Sequence, residues 1–225
     1  MEVLIVAKTH LSEGVCIGAL DRTGRFLRLL DENGGHQHSS CPFEVKQVWE
    51  VTSRKAGKQI PPHVEDVKVL HKEYRRMLRE GQTMLRVLEM CNIKLWKGSP
   101  EVLFDGCLLW TNRGSGYVSR AGGIPRQSVG FWLSDKDLLK YNVYEKIRYR
   151  YPDWRYLRSL PYVGFETPEE IIPAGTLLRV SLARWWDKEG ETEERCSLQL
   201  SGWYDIQQAV TAANQLNEGN MEVPW

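Results

Sequence analysis

Between Gly175 and Trp186 the chain reads GTLLRVSLARWW, in which Leu178, Val180 and Leu182 alternate with Arg179, Ser181 and Ala183. A two-residue period puts one set on each face of an extended strand, so this stretch predicts a strand with one face covered. An acidic loop, DKEGETEER, leads into CSLQLSGW, where Cys196, Leu198 and Leu200 alternate with Ser197, Gln199 and Ser201. The two segments predict an antiparallel pair. Residues Ile206, Val210, Ala213 and Leu216 then share one helical stripe, opened by Asp205 with Gln208 and stopped by Gly219. This predicts a terminal helix covering the second β half.

The first third carries the same kind of signal. Val3 to Ala7 is apolar on both faces and predicts a fully covered strand. Val15 to Leu20, the turn Asp21-Arg22-Thr23-Gly24 and Arg25 to Leu30 predict a hairpin, with the glycine at the position that favours positive φ. Phe43, Val45, Trp49 and Val51 alternate with Glu44, Lys46 and Glu50, and Val64 to Leu70 follows Pro61-Pro62 as a fifth strand. Five short strands in about seventy residues match a small Greek-key barrel. The middle differs. Residues 73–91 have helical spacing broken near Gly81, Trp96 to Trp110 mixes helix and strand signals, and 112–130 is rich in glycine and polar residues. So long a loop in a compact domain is expected to be functional.

At 225 residues and 42% hydrophobic, the chain can bury a core without disulfides or structural metal. No apolar run approaches the ~18 residues that cross a bilayer. The start, MEVLIVAKTH, has an acid at position 2 and a short apolar run, which fits a strand rather than a signal peptide. Five cysteines (Cys16, Cys41, Cys91, Cys107 and Cys196) are odd in number, widely spaced and without a C-x-x-C. They read as free thiols in a reducing cytoplasm, and no ligand set predicts a metal or other cofactor.

Net charge is only +1, but it is unevenly spread. Residues 111–160 hold ten Lys/Arg against four Asp/Glu, a balance of +6, while 161–225 hold four against eleven, a balance of −7. Either the basic segment meets an anionic partner or the two regions pair internally.

The strings PAGTLLRVSLARWW and ERCSLQLSGWY, with KTH near the N-terminus, PPHVED at 61–66 and SGYVSRAGGIP at 115–125, resemble the dual OB-containing domain family of bacteria. The resemblance runs from Val3 to Tyr204. It implies two OB-like barrels in one chain and nucleic-acid binding, in a defence or nucleic-acid-processing assembly.

The sharpest local feature is YEKIRYRYPDWRY at 144–156. Lys146, Arg148, Arg150 and Arg155 interleave there with Tyr149, Tyr151, Trp154 and Tyr156. Cations that follow phosphates beside rings that stack on bases are how OB grooves hold single strands. Strand alternation separates Lys146, Arg148 and Arg150 from Tyr149 and Tyr151, so the same pattern also fits tyrosines in a core behind a solvated basic face. In the loop SRAGGIPRQS, two glycines let backbone N–H groups approach an anion, and Arg120 and Arg126 offer bidentate phosphate contacts. It is not a P-loop, and neither here nor at Gly114-Ser-Gly116 is a dinucleotide fingerprint complete. Of Trp185 and Trp186, one is expected in the core and the other is a potential stacking platform. His63 with Glu65 and Asp66, plus His10 with Lys8, could form a hydrolytic site if the segments meet, although no nucleophile with a paired base stands out.

These readings predict a mainly β fold with some α: two OB-like barrels, 1–72 and 140–225, joined by a helical and glycine-rich connection, 73–139, packed on both. The expected function is a nucleic-acid-binding module acting on single-stranded or structured DNA or RNA. Its expected contacts are Arg120, Arg126, Lys146, Arg148, Tyr149, Arg150, Tyr151, Trp154 and Arg155, with no catalytic residue and no membrane partner. The alternatives are a protein-interaction adaptor using barrel edges and a hydrolase built around residues 63–66.

Overall fold

The computed structural model describes residues 1–187 and 193–205. The terminal helix expected over 206–219 lies outside the described residues. Among the described residues the chain divides into two compact units: residues 1–59 with 65–93, and residues 60–64 with 94–187 and 193–205.

In the first unit, β1 (Glu2–His10), β2 (Val15–Asp21), β3 (Phe26–Leu30), β4 (Gln47–Lys55) and β5 (Asp66–Met77) form a closed barrel in the order β1-β2-β3-β5-β4. Only β3 and β5 run parallel, and β4 closes the ring on β1. As the apolar run predicts, Val3 to Ala7 is buried throughout. The β2–β3 hairpin turns on Gly24 at φ +82°. Asp21 fastens it, its Oδ1 accepting the Thr23 hydroxyl at 2.6 Å and the Thr23 and Arg25 amides at 2.9 and 3.0 Å. Val3, Ile5, Ile17, Leu29, Phe43 and Trp49 fill the interior.

The expected fifth strand is longer than its hydrophobic pattern. Beyond Val69 it turns polar and helix-like in composition, yet β4 pairs with it as far as Gln47 opposite Met77, so tertiary pairing overrides the local helical spacing. The helix is confined to α1 (Met84–Met90), where the Thr83 hydroxyl accepts the Arg86 amide at 3.1 Å. β3 accompanies β5 only from Asp66 to Lys68, so the outer edge of β5 from Val69 to Met77 has no strand beside it among the described residues.

The second unit holds two sheets. β6 (Leu95–Gly98), β7 (Leu109–Trp110), β8 (Gly116–Ser119), β9 (Val129–Ser134), β14 (Leu177–Leu182) and β15 (Arg195–Tyr204) make one, in the order β6-β9-β14-β15-β8-β7. β10 (Leu138–Val143), β11 (Lys146–Tyr151), β12 (Arg158–Pro161) and β13 (Ile171–Ile172) make the other, in the order β12-β11-β10-β13. β12 joins them, through bridges between Ser115 and Ser159 and between Tyr162 and Leu200. The result is a half-closed, OB-like barrel around Trp132, Tyr149, Tyr151, Leu178, Leu198 and Trp203. The predicted pair 175–186 and 196–203 is β14 with β15, Leu178 lying opposite Trp203 and Leu182 opposite Leu198.

The boundaries at 72/73 and 139/140 therefore need correction. Residues 73–77 finish β5 of the first barrel, and β6 to β9 are strands of the second sheet rather than a connection. Glycine content hid two of them. Gly130 sits in β9 because a Cβ there would lie 2.2 Å from the Trp96 ring, so the residue marks close packing rather than a loop.

Candidate functional site

β11 is the strand that carries the basic and aromatic residues, and its neighbours β10 and β12 fix which face each side chain takes. Tyr149 and Tyr151 point inward and are 0% and 2% exposed. Tyr149 donates its hydroxyl to the Glu169 carbonyl at 2.7 Å and Tyr151 to Asp135 Oδ1 at 2.8 Å. Burial holds both phenols well above their usual range, with Glu169 adding to the effect at Tyr149 and Asp135 at Tyr151. As core residues with both rings enclosed, they present no face to a base, which corrects their expected role.

Arg148 is also committed internally. Its Nε donates to Ser159 Oγ at 2.7 Å and its guanidinium to Ser115 Oγ at 2.9 Å, while Tyr141 shares the Ser159 hydroxyl. The side chain thus stitches β11 to β12 and to the residue before β8, so its donors serve the fold. Lys146 is exposed at the hairpin end of β11, four residues or roughly 13 Å of strand from Arg150. The linear constellation is split along the strand.

At the other end of β11 the chain leaves the sheet and forms a groove of about 560 Å³. Arg150, Trp154, Arg155, Tyr156 and Lys136 line it. Trp154 is 85% exposed and Tyr156 56% exposed, unusual for rings of this size. The Arg155 guanidinium lies over the Trp154 ring at 4.5 Å. Arg158 lies over both Tyr156, at 4.8 Å, and Trp110, at 4.4 Å, and its Nε donates to Glu101 at 2.6 Å. Lys136 donates to the Pro152 carbonyl at 3.1 Å, which ties the start of the loop to the β9–β10 turn. One carboxylate, Asp153, lies in the same groove. It accepts the Arg155 amide at 2.7 Å, and this amide, followed by the Lys136 charge, holds it below the usual carboxylate range. The guanidinium groups of Arg150 and Arg155 form no ion pair among the described residues.

The loop after β8 is arranged differently. Arg120 pairs with Glu194 at 3.1 Å and lies over the Trp185 ring at 4.6 Å. The Ala121 amide donates to Glu193 at 2.9 Å and the Gly122 amide to Ser119 Oγ at 3.3 Å. Of the donors expected to meet a phosphate, Arg120 and the Ala121 amide meet the chain's own acids and the Gly122 amide meets a serine. Arg126 is exposed, outside the groove lining. Both tryptophans lie beyond the end of β14: Trp185 is half-buried against the core with its Nε1 donating to the Pro61 carbonyl at 2.8 Å, and Trp186 is exposed.

The residues of the histidine–acid reading are divided between the two units, His63 in the second and Lys8, His10, Glu65 and Asp66 in the first. His63 is buried with Nε2 3.6 Å from Cys196 Sγ in the second unit. In the first unit, Asp66 pairs with Arg28 at 3.6 Å, Lys8 pairs with Glu44 at 2.5 Å, and His10 is exposed at the end of β1. No group of three or more His, Cys, Asp or Glu side chains suited to a metal occurs among the described residues.

Sequence reasoning passed over Lys136, although it named Tyr156 among the interleaved aromatics. Lys136 comes from a separate hairpin and had no linear signal. The dual OB-containing domain model matches residues 1–203. The chain belongs to that family. Its two OB-like barrels are those described above, with the groove on the second. No curated protein sequence matches the chain. A solved structure of a murine DNA-binding protein bound with double-stranded DNA aligns over 89% of this chain and 91% of that one, at 10% identity and a TM-score of 0.29. That score is too low for fold or ligand to transfer from it.

Proposed function

We propose that this dual OB-containing chain binds nucleic acid through the groove at residues 150–158 of its second barrel. One observation carries the reading: the guanidinium groups of Arg150 and Arg155, without ion-pair partners among the described residues, share a groove with the exposed rings of Trp154 and Tyr156. Cations neutralise phosphates and rings take base faces, and both are needed for sequence-tolerant binding. Lys146, Arg120 and Arg126 belong to this reading only as outlying charges that a longer ligand would reach. The wider setting proposed is a defence or nucleic-acid-processing assembly in the bacterial cytoplasm, and five free cysteines suit such a reducing compartment.

The test is binding of a labelled oligonucleotide as a function of salt. Three phosphate contacts, from Lys136, Arg150 and Arg155, give a slope of log K against log salt of about −2 for a single strand. Arg150→Glu combined with Arg155→Glu is expected to abolish binding at moderate salt. Unchanged affinity in that variant would refute the assignment.

One observation favours a second reading, a protein-interaction adaptor. The outer edge of β5 from Val69 to Met77 lacks a neighbouring strand among the described residues and carries exposed Leu70, Tyr74 and Met77. Such an edge accepts an added strand from a partner peptide. Binding of that kind would protect β5 rather than the groove.

A further inference from the structure

The geometry of the groove's two rings points to a narrower ligand: a single strand that lays two successive unpaired bases on Trp154 and Tyr156, one on each. This rests on the nucleic-acid reading above and adds to it the state of the strand and the register of its bases. Each ring has an arginine of the chain against it, Arg155 at 4.5 Å from the Trp154 centre and Arg158 at 4.8 Å from that of Tyr156. Arg158 is in turn held by Trp110 at 4.4 Å and by Glu101 at 2.6 Å, so Tyr156 is backed by a fixed support. A ring with one face closed by a cation can offer its other face to a base, and both rings are exposed in the groove lining.

Access to the base faces selects the strand state. Residues 154 and 156 are two apart, so their Cα atoms stand up to about 7 Å apart. Neighbouring bases in one strand of a duplex are about 3.4 Å apart and cover each other's faces. A ring cannot take a base face that another base already covers, so the two bases must be parted from each other and from any complement. A duplex would offer this groove its phosphates alone, to Lys136, Arg150 and Arg155.

Fluorescence anisotropy with the full chain and three labelled ligands of equal length tests this: a single DNA strand, the matching blunt duplex, and a strand carrying abasic sites in place of bases. The single strand is expected to bind at least about tenfold more tightly than the other two. Trp154→Ala and Tyr156→Ala should each weaken it about 5- to 140-fold while leaving the abasic strand unaffected. Trp154→Phe, which restores a ring, should recover most of the loss. Both residues are exposed, and circular dichroism checks that each variant keeps its fold. A duplex or abasic strand that binds as tightly as the single strand, or alanine variants without effect, would overturn the two-base inference while leaving the phosphate contacts standing. Absence of binding to all three ligands at low salt would instead remove the nucleic-acid reading, and the inference with it.

Discussion

Arg148 and Arg150 differ by two positions, share a strand face and have opposite duties. Arg148 donates to two serine hydroxyls on neighbouring segments, and its removal strands those groups at a half-buried junction between sheets. Hydrogen bonds from a charged donor contribute about 1.5–3 kcal/mol, so Arg148→Met is expected to destabilise the chain by about that much in urea unfolding. Arg150→Met, at an exposed position, should fall within about 0.5 kcal/mol of the parent. Glu166 supplies a second test at this scale. Tyr162 Oη lies 2.8 Å from the Glu166 carbonyl and 3.0 Å from its carboxyl Oε2. A phenol has one proton, so when it serves the carbonyl, a neutral Glu166 can return its own proton to the phenol oxygen. Burial pushes the Glu166 carboxyl above its ordinary value of 4.5, against opposing hydrogen bonds from amides and from Tyr162. The folded state then holds its proton at pH values where the unfolded state has released it. Stability must fall as pH rises from about 4.5 towards the folded value. Glu166→Gln should remove that part of the slope in unfolding free energy measured across the acid range. An identical pH profile in the two proteins would contradict the assignment.

At the scale of elements, alternation was the reliable signal and local composition the misleading one. β14 and β15 were legible because apolar and polar residues alternate along both, although the second face of β14 is covered as well, with Leu177 and Arg179 buried there. β1 to β3 were legible for a related reason, with covered apolar runs separated by a turn that Asp21 and Gly24 define. β5 was legible only while both its neighbours were present. Once β3 ends at Leu30, the strand becomes largely exposed from Leu70 onward, and residues 73–77 read as part of a helix because burial no longer constrains their pattern. β8 and β9 were hidden by glycines that exist to admit large rings, as at Gly130 against Trp96. β10 and β12 carry short, mixed patterns with no turn signal between sheet and loop. In the site, strand alternation correctly separated the buried tyrosines from the arginines, but it could not show that Arg148 would be claimed by Ser115 and Ser159. Nor could a linear pattern reach Lys136, which is brought to the groove by a different hairpin.

At the scale of the whole chain, the uneven charge has two outcomes. Part of the basic surplus of 111–160 is answered by the acidic C-terminal third, through Arg120 with Glu194 and Lys140 with Glu170. Of what is left, Arg150 and Arg155 lie in the groove beside the exposed rings, while Arg126 and Lys146 are exposed outside its lining. A protein of net charge +1 can therefore present a local anion-binding surface without being basic overall. The two barrels then have distinct chemistry: a closed first barrel with one open strand edge, and a half-closed second barrel whose loop after β11 holds cations and rings together. Hydrogen exchange of the full chain with and without a saturating single-stranded oligonucleotide distinguishes these surfaces directly. The structure predicts slowed exchange at residues 150–158 and no change at Val69–Met77, whereas protection confined to the first barrel would contradict the placement of the binding site.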